Sequence, residues 1–599
     1  MSSHRQRLGA LRTELARENL NGFFVPLTDE HMSEYIGAYA CRLEWLTGFG
    51  GSAGSAVVLE GQAAIFVDGR YTIQVTEQVD PELWSYKSLP ADDPIAWAIA
   101  HLKAGDRIGY DPWLASLGWE KQARRRLDAQ KIELVPLPTN PIDAIWSDRP
   151  LPSQAPAFIQ PENLAGKTSE QKRHEVAEWL NAKQADTLVL TALDSIAWLF
   201  NMRGSDVSCT PVALAFALTH KDGSADLFID PAKTDDALKE AMGNAVHFHD
   251  QTDFPDALKA LSGKSVIVDP ERTVAAITAL LQDGGARLSY DRDPVVLMKA
   301  IKNHAEIEGH RQAQLWDAVA LAKFFYWLSQ TAPEGQLTEL SAAEKLLSFR
   351  QESCHLVDLS FETISAAAAH SAIPHYRVTE ASNLPLKKDE IYLVDSGGQY
   401  PNGTTDVTRT VIIGIPTEEM KQRFTLVLKG HIALATAVFP AGTSGGQLDS
   451  FARQYLWRAG VDYAHGTGHG VGAFLSVHEG PQRISPSGGA FSGGNEVLRA
   501  GMILSNEPGY YKSGAFGIRI ENLLLVKPVE VAGAEKPCLA FETLNFTPID
   551  RNLIDSSLLS ESEISWLNQY HQEVCQKLLP FLSMQEAEWL KAATAPLRG

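Results

Sequence analysis

Residues 391–410 read IYLVDSGGQYPNGTTDVTRT, two β-prone runs around a cluster of turn residues. This is the pattern of a β-hairpin. Asp395 ends the first run and Asp406 opens the second. A regular two-residue turn at Asn402-Gly403 would set Asp395 opposite Thr410. Asp406 would then lie roughly 13 Å further along the same face, at ~3.3 Å per residue. Carboxylates that share a metal pair through bonds of ~2.0–2.3 Å cannot stand so far apart. If the two aspartates act together, the spacing predicts a register nearer Asp395 opposite Asp406, or a bulge.

Two segments further along carry the same kind of residue. His465-Gly466-Thr467-Gly468-His469-Gly470-Val471-Gly472 is followed by His478-Glu479. Its glycine content argues against a helix and suits a loop that brings backbone close to a ligand while projecting imidazoles. Then come Asn506-Glu507-Pro508-Gly509 and Gly517-Ile518-Arg519-Ile520-Glu521-Asn522. Alternation in the last run puts Ile518 and Ile520 on a core face, with Arg519 and Glu521 together on the other. Taken singly, each of these is an ordinary turn or strand residue. Four carboxylates and a histidine converging from three segments would repel one another without cations. Oxygen-rich ligation with one imidazole suits manganese, cobalt or zinc better than a thiolate site would. Two such ions would bring a bridging water towards a pKa of ~7 and polarise a carbonyl beside it.

Composition narrows the class. The formal charge of −20 argues against a nucleic-acid surface. No run approaches the length of a transmembrane helix, and the N-terminal pattern Leu8, Leu11, Leu15 is amphipathic, unlike a signal peptide. The five cysteines are scattered and form no CxxC pair, which fits reduced thiols. A cytoplasmic address follows.

With 599 residues, several domains are expected. An internal repeat links WLTGFGGS (45–52) and the strand AAIFVD (63–68) to WLFNMRGS (198–205) and ADLFID (225–230). We therefore read an N-terminal α/β domain at 1–157 and a second, related one at 158–292. A catalytic domain follows at 293–540, then a helical extension at 541–599. Ser560-x-x-Glu563 and Ser583-x-x-Glu586 are capping boxes in that extension. Its apolar residues Trp566, Leu567, Leu578, Leu579 and Trp589 suggest surfaces needing cover, and hence a homodimer.

The strings NGTTDVTRT (402–410), HGTGHGVGAFLSVHEGP (465–481) and NEPGYYKSGAFGIRIEN (506–522) resemble the signatures of aminopeptidase P (Xaa-Pro aminopeptidase), in its large three-domain cytosolic form. The likeness extends to DEHMSEYIGAYACRLEWLTGFGGSAG (29–54), FVDGRY (66–71), LDSIAWLFNMRGSD (193–206), SFETIS (360–365), IPHY (373–376) and the tail from Ile554 to His571. It implies an α/β (α+β) chain: two creatinase-N-like α/β domains, a pita-bread catalytic domain and helices at the end. It implies two divalent ions, usually manganese, with zinc or cobalt as alternatives. By resemblance, Asp395 binds one ion, Asp406 and Glu521 bridge both, and His469 and Glu507 bind the other. Glu507 would also take the proton of the attacking water. His375, His465 and His478 would hold substrate and stabilise the tetrahedral intermediate, and Phe361 and Arg519 would line the pocket for the penultimate proline. The stretch Ala366–Ala369 departs from the more polar sequence usual in relatives. The implied reaction is hydrolysis of the N-terminal Xaa-Pro bond of peptides by a dimetal-bridging hydroxide. Prolidase-type dipeptidase activity on the same ligands is the nearest alternative, and a non-catalytic peptide-binding pita-bread module the remote one.

Overall fold

The computed structural model describes residues 3–486 and 493–598. The chain forms two compact units, one of residues 1–162 and 167–296, the other of 163–166 and 297–599.

The first unit contains the repeat. Its first sheet is built from β1 (Gly22–Pro26), β2 (Ser55–Leu59), β3 (Ala63–Val67), β4 (Ser85–Ser88), β5 (Arg107–Tyr110) and β6 (Glu133–Pro136), in the order β4-β3-β2-β1-β5-β6. Its second comprises β7 (Thr187–Leu190), β8 (Ala215–His220), β9 (Ala225–Ile229), β10 (Val246–His249), β11 (Ser265–Val268) and β12 (Arg287–Tyr290). Their order, β10-β9-β8-β7-β11-β12, reproduces the first sheet strand for strand. The central strands read as near-continuous apolar runs because helices cover both faces. Phe23, Val58 and Ile65 are fully buried on one face of the first sheet, Val57, Ala64 and Phe66 on the other.

The two copies meet through equivalent loops, each entered by an Asp-Pro pair after β5 or β11. Asp111 Oδ1 accepts from Trp113 N (2.9 Å), and Asp269 Oδ1 accepts from Glu271 N (3.0 Å). The backbone bonds across the junction are reciprocal. Leu117 N donates to Thr273 O (3.0 Å) and Ala275 N to Ala115 O (2.8 Å). Gly118 N donates to Pro270 O (2.8 Å) and Ala276 N to Pro112 O (2.9 Å). Ser116 faces Val274 at the centre, so the repeats are related by a local pseudo-two-fold axis.

In the second unit, helices His304–Thr331 and Glu339–Gln351 back a sheet of β13 (Ile364–Ala367), β14 (Glu390–Ser396) and a strand at Val407–Ile413. Phe324, Leu328 and Leu346 pack there on Tyr392, Val394 and Val407. Helices Glu418–Ala435 and Gly445–Arg458 back a six-stranded sheet, with Leu434, Leu448 and Ala452 against Leu504, Leu524 and Val526. Both capping boxes of the tail are present. The expectation that its apolar residues need outside cover is corrected. Leu567 and Leu578 are fully buried, and Trp566, Leu579 and Trp589 pack against the same core. The amphipathic pattern identified an apolar face; the unit's own sheet and helices supply what covers it.

Candidate metal centre

The hairpin that carries both aspartates turns one residue earlier than Asn402-Gly403. Strands β15 (Gly398–Tyr400) and β16 (Gly403–Thr404) pair Tyr400 with Gly403, leaving Pro401-Asn402 at the corner. Neither corner residue has positive φ, so this is not the mirror-image turn that Asn-Gly favours. Pro401 explains the shift. A turn at 402–403 would place it in a paired position that needs an N–H, whereas the first corner position uses its fixed φ. The same register continues into β14 and β17 (Val407–Ile413), where Asp395 faces Thr408. Asp406 is thus about one diagonal step from Asp395, ~7–8 Å between backbones. The predicted contraction of the register is present, and it needs no bulge. Gly397 makes the approach feasible: a Cβ there would lie 1.9 Å from Thr405 O.

The threonines of TDVTRT fasten this hairpin to the third segment. Thr408 Oγ1 donates to Glu521 Oε2 (2.7 Å) and accepts from Arg519 Nε (3.1 Å), and Thr410 Oγ1 donates to Arg519 O (3.0 Å). Ile518 and Ile520 are fully buried in the core, as alternation requires. The run is not one strand, however. It breaks at Ile520-Glu521, between strands Phe516–Arg519 and Asn522–Val529, which belong to different sheets. The break lets Arg519 and Glu521 address the two aspartates from a junction between sheets.

His465 lies in irregular backbone and His469 in the short strand Gly468–Gly470, so the glycine-rich stretch is not helical. Arg453 holds its entrance by donating to the carbonyls of Tyr463 (2.8 Å) and His465 (2.6 Å). Gly468 packs directly on the strand Ile503–Asn506 that leads to Glu507; a Cβ would come within 1.9 Å of Ser505 O. Ser505 Oγ accepts from His469 N (3.0 Å) and donates to Glu507 Oε1 (3.1 Å).

Side chains from all three segments converge. Ligand-type atoms of Asp406, His469 and Glu521 lie within 4.8 Å of one another. His469 Nε2 is 3.4 Å from Asp406 Oδ2 and 3.5 Å from Glu507 Oε1. His469 Nδ1 is 2.9 Å from Gly470 O, which leaves Nε2 directed at the carboxylates. Asp395 Oδ2 accepts from Arg519 Nη2 at 2.6 Å, while its buried Oδ1 accepts no hydrogen bond. Burial drives the carboxyl of Asp406 well above its ordinary range, and the charges of Asp395 and Glu507 push it further. Burial, then Asp406, Asp395 and Glu507, does the same to Glu521. A buried, mutually repelling, oxygen-rich set with one imidazole and an unused carboxylate oxygen fits hard divalent cations.

The remaining candidate residues rim this centre. His478 stacks edge-on against His469 with ring centroids 4.4 Å apart, and His375 lies 6.4 Å from His478. His465 Nε2 meets Tyr511 OH at 2.8 Å. Phe361 is half-buried on the segment entering β13. Arg519 is held against Asp395 by the contact between Nη2 and Oδ2. The sequence reading missed Tyr511, whose oxygen also accepts from Arg519 Nη1 (2.8 Å) and whose burial raises its pKa to about 12. The signal was available: a hairpin turning through Ser513-Gly514 sets Tyr511 opposite Gly517 and Gly509 opposite Arg519. A continuous chain Asp395–Arg519–Tyr511–His465 results.

This fold and donor set define a class, and comparison with known proteins agrees. Metallopeptidase family M24 matches residues 308–528, its C-terminal region matches 537–597, and creatinase/prolidase N-terminal domains match 7–145 and 148–306. A probable Xaa-Pro aminopeptidase P of Coprinopsis cinerea is 41% identical, covering 99% of this chain and 98% of the relative. One from Laccaria bicolor is 39% identical, over 99% and 93%. The crystal structure of X-prolyl aminopeptidase from Caenorhabditis elegans, described as a cytosolic enzyme with a di-nuclear active site, matches with TM-score 0.94 and 35% identity over 100% of both chains. An Xaa-Pro dipeptidase from Bacillus anthracis shares the fold over 64% of this chain, at TM-score 0.51 and 22% identity. The chain belongs to the Xaa-Pro aminopeptidase P family of M24 metallopeptidases.

Proposed function

We propose that this chain hydrolyses the bond between an N-terminal residue and a following proline, releasing that residue from peptides. The observation that carries the reading is the convergence of Asp406, His469 and Glu521, with Asp395 and Glu507 at their sides. Asp395 would hold one divalent ion, His469 and Glu507 a second, and Asp406 and Glu521 both. Such ions supply acidification of water and polarisation of the scissile carbonyl. We take the resident metal to be manganese.

The chain's own residues do the rest. Glu507 receives a proton from the attacking water and returns it to the departing proline nitrogen. His375, His465 and His478 hold the substrate and donate to the oxygen on which charge develops. Phe361 and Arg519 border the site for the proline ring. Arg519 is also supported as the residue that orients Asp395, by its short contact to that carboxylate. The bond before proline lacks an N–H, so a site that grips carbonyls and the free amino terminus suits it better than one built around an amide donor.

We further infer a cytoplasmic homodimer. The cytosolic description of the Caenorhabditis elegans enzyme supports the address. Among the described residues no helix is long and apolar enough to cross a membrane. The exposed Trp457, Phe581 and Met584, not the buried tail residues, support a second subunit. The deciding experiment assays an Xaa-Pro-Xaa tripeptide beside an Xaa-Pro dipeptide, after chelation and after adding manganese. Metal-dependent cleavage of the tripeptide is expected. Cleavage of the dipeptide alone would make the protein a prolidase, and full activity in metal-free protein would reject the metal reading.

A further inference from the structure

Glu339 opens the helix Glu339–Gln351, and none of its surface reaches solvent. No part of the proposed chemistry uses it, yet among the described residues its carboxylate is the most heavily hydrogen-bonded acid outside the metal centre. Oε1 accepts from Ala367 N (2.7 Å) and lies 2.9 Å from His370 Nδ1. Oε2 accepts from Leu384 N (2.8 Å) and from Tyr376 OH (3.1 Å). Its backbone joins in, with N donating to Leu384 O (3.0 Å) and O accepting from Ser365 Oγ (2.7 Å). All these partners lie on residues 365–384, a stretch with little regular structure beyond β13 and a short 3-10 turn. That stretch carries His375, immediately before Tyr376. His370 stacks on Tyr376 with ring centroids 4.3 Å apart, so imidazole and phenol are clamped together against the one carboxylate.

A buried carboxylate bound by two backbone amides, an imidazole and a phenol holds all of them in one arrangement. We propose that Glu339 is the positioning residue for His375: it fixes both ends of the irregular segment and thereby sets where the His375 ring stands relative to His478. This rests on the reading of His375 as a substrate-holding residue.

Glu339→Gln replaces one acceptor oxygen with a donor, so the two groups bound to that oxygen are disturbed, and the backbone N–H among them loses its partner, while size is kept. With manganese saturating, kcat/KM for an Xaa-Pro-Xaa peptide is expected to fall ~10–100-fold with metal content unchanged. The decisive readout is a double-mutant cycle with His375→Ala. If Glu339 acts through His375, Glu339→Gln changes kcat/KM less than about twofold once His375 is gone. An equal loss in both backgrounds, or wild-type activity of the single variant, would overturn the proposal. If Glu339→Gln does not fold, Tyr376→Phe tests the same link. A loss of ~3–10-fold that vanishes beside His375→Ala supports it, and an undiminished loss does not. Wild-type activity of His375→Ala would instead reject the reading of His375 itself.

Discussion

Arg519 Nη2 stands 2.6 Å from Asp395 Oδ2, and both side chains are almost wholly buried. The guanidinium also binds Tyr511 and Thr408, so one planar group sets three partners at once. Arg519→Lys keeps the charge and loses the fork. Turnover at saturating manganese is expected to drop ~10–100-fold, as for other residues that orient a metal ligand. Steady-state kinetics with metal analysis checks this; unchanged turnover would mean that Asp395 needs no such support.

Glu507 is expected to matter more to kcat than to KM. Proton transfer by a positioned carboxylate contributes ~10²–10⁴ in rate. Because Glu507 also stands 3.5 Å from His469 within the donor set, Glu507→Gln must be assayed together with metal occupancy. Full occupancy with kcat reduced at least about a hundredfold supports proton transfer. Near-normal turnover in the fully loaded variant rules it out.

Acid should destabilise the second unit above the usual carboxylate range. His310, His431 and His571 are fully enclosed, and burial lowers each imidazole to a pKa of about 3. Unfolded, each would titrate near ~6.5. Below that pH the unfolded chain takes up protons that the folded one refuses, so stability is complete above it and lost as pH falls. Each histidine contributes about 1.4 kcal/mol per pH unit through that window. A Tm that declines from pH 6.5 to 5 is expected, with a shallower slope in His431→Gln. A Tm flat from pH 7.5 to 5 contradicts this account.

Gly468→Ala should uncouple the metal ligands without touching one. The added methyl would meet Ser505 O at 1.9 Å and push apart the strands that carry His469 and Glu507. Manganese affinity, measured by calorimetry on chelated protein, should weaken at least about tenfold, the scale seen when ligand support is lost. Wild-type affinity would show that the strands absorb the methyl.

What the sequence made readable was whatever depends on local chemistry. The capping serines of the tail and the paired apolar strands of the repeat each follow from neighbouring residues. The hairpin's contraction was derivable because two ligands limit how far apart strands can slip. Its turn sits one residue before Asn402-Gly403, a strong signal in isolation that the missing N–H of Pro401 overrides. Glu339 was invisible for another reason: its partners lie on a segment brought to it by packing, which no spacing along the chain encodes. Tyr511 was legible in part, through the hairpin that pairs it with Gly517 and carries its partner Arg519.

The junction between the two N-terminal repeats has the form of a homodimer contact written into a single polypeptide. Between separate chains, such a contact would dissolve on dilution, and every substitution would strike it twice. Here the partner is tethered, so its effective concentration is fixed by the covalent link. Ser116 and Val274, facing each other at the pseudo-axis, are already different residues. Each side can change alone, and the symmetry persists in the reciprocal backbone bonds and in the Asp-Pro pairs that open the two loops.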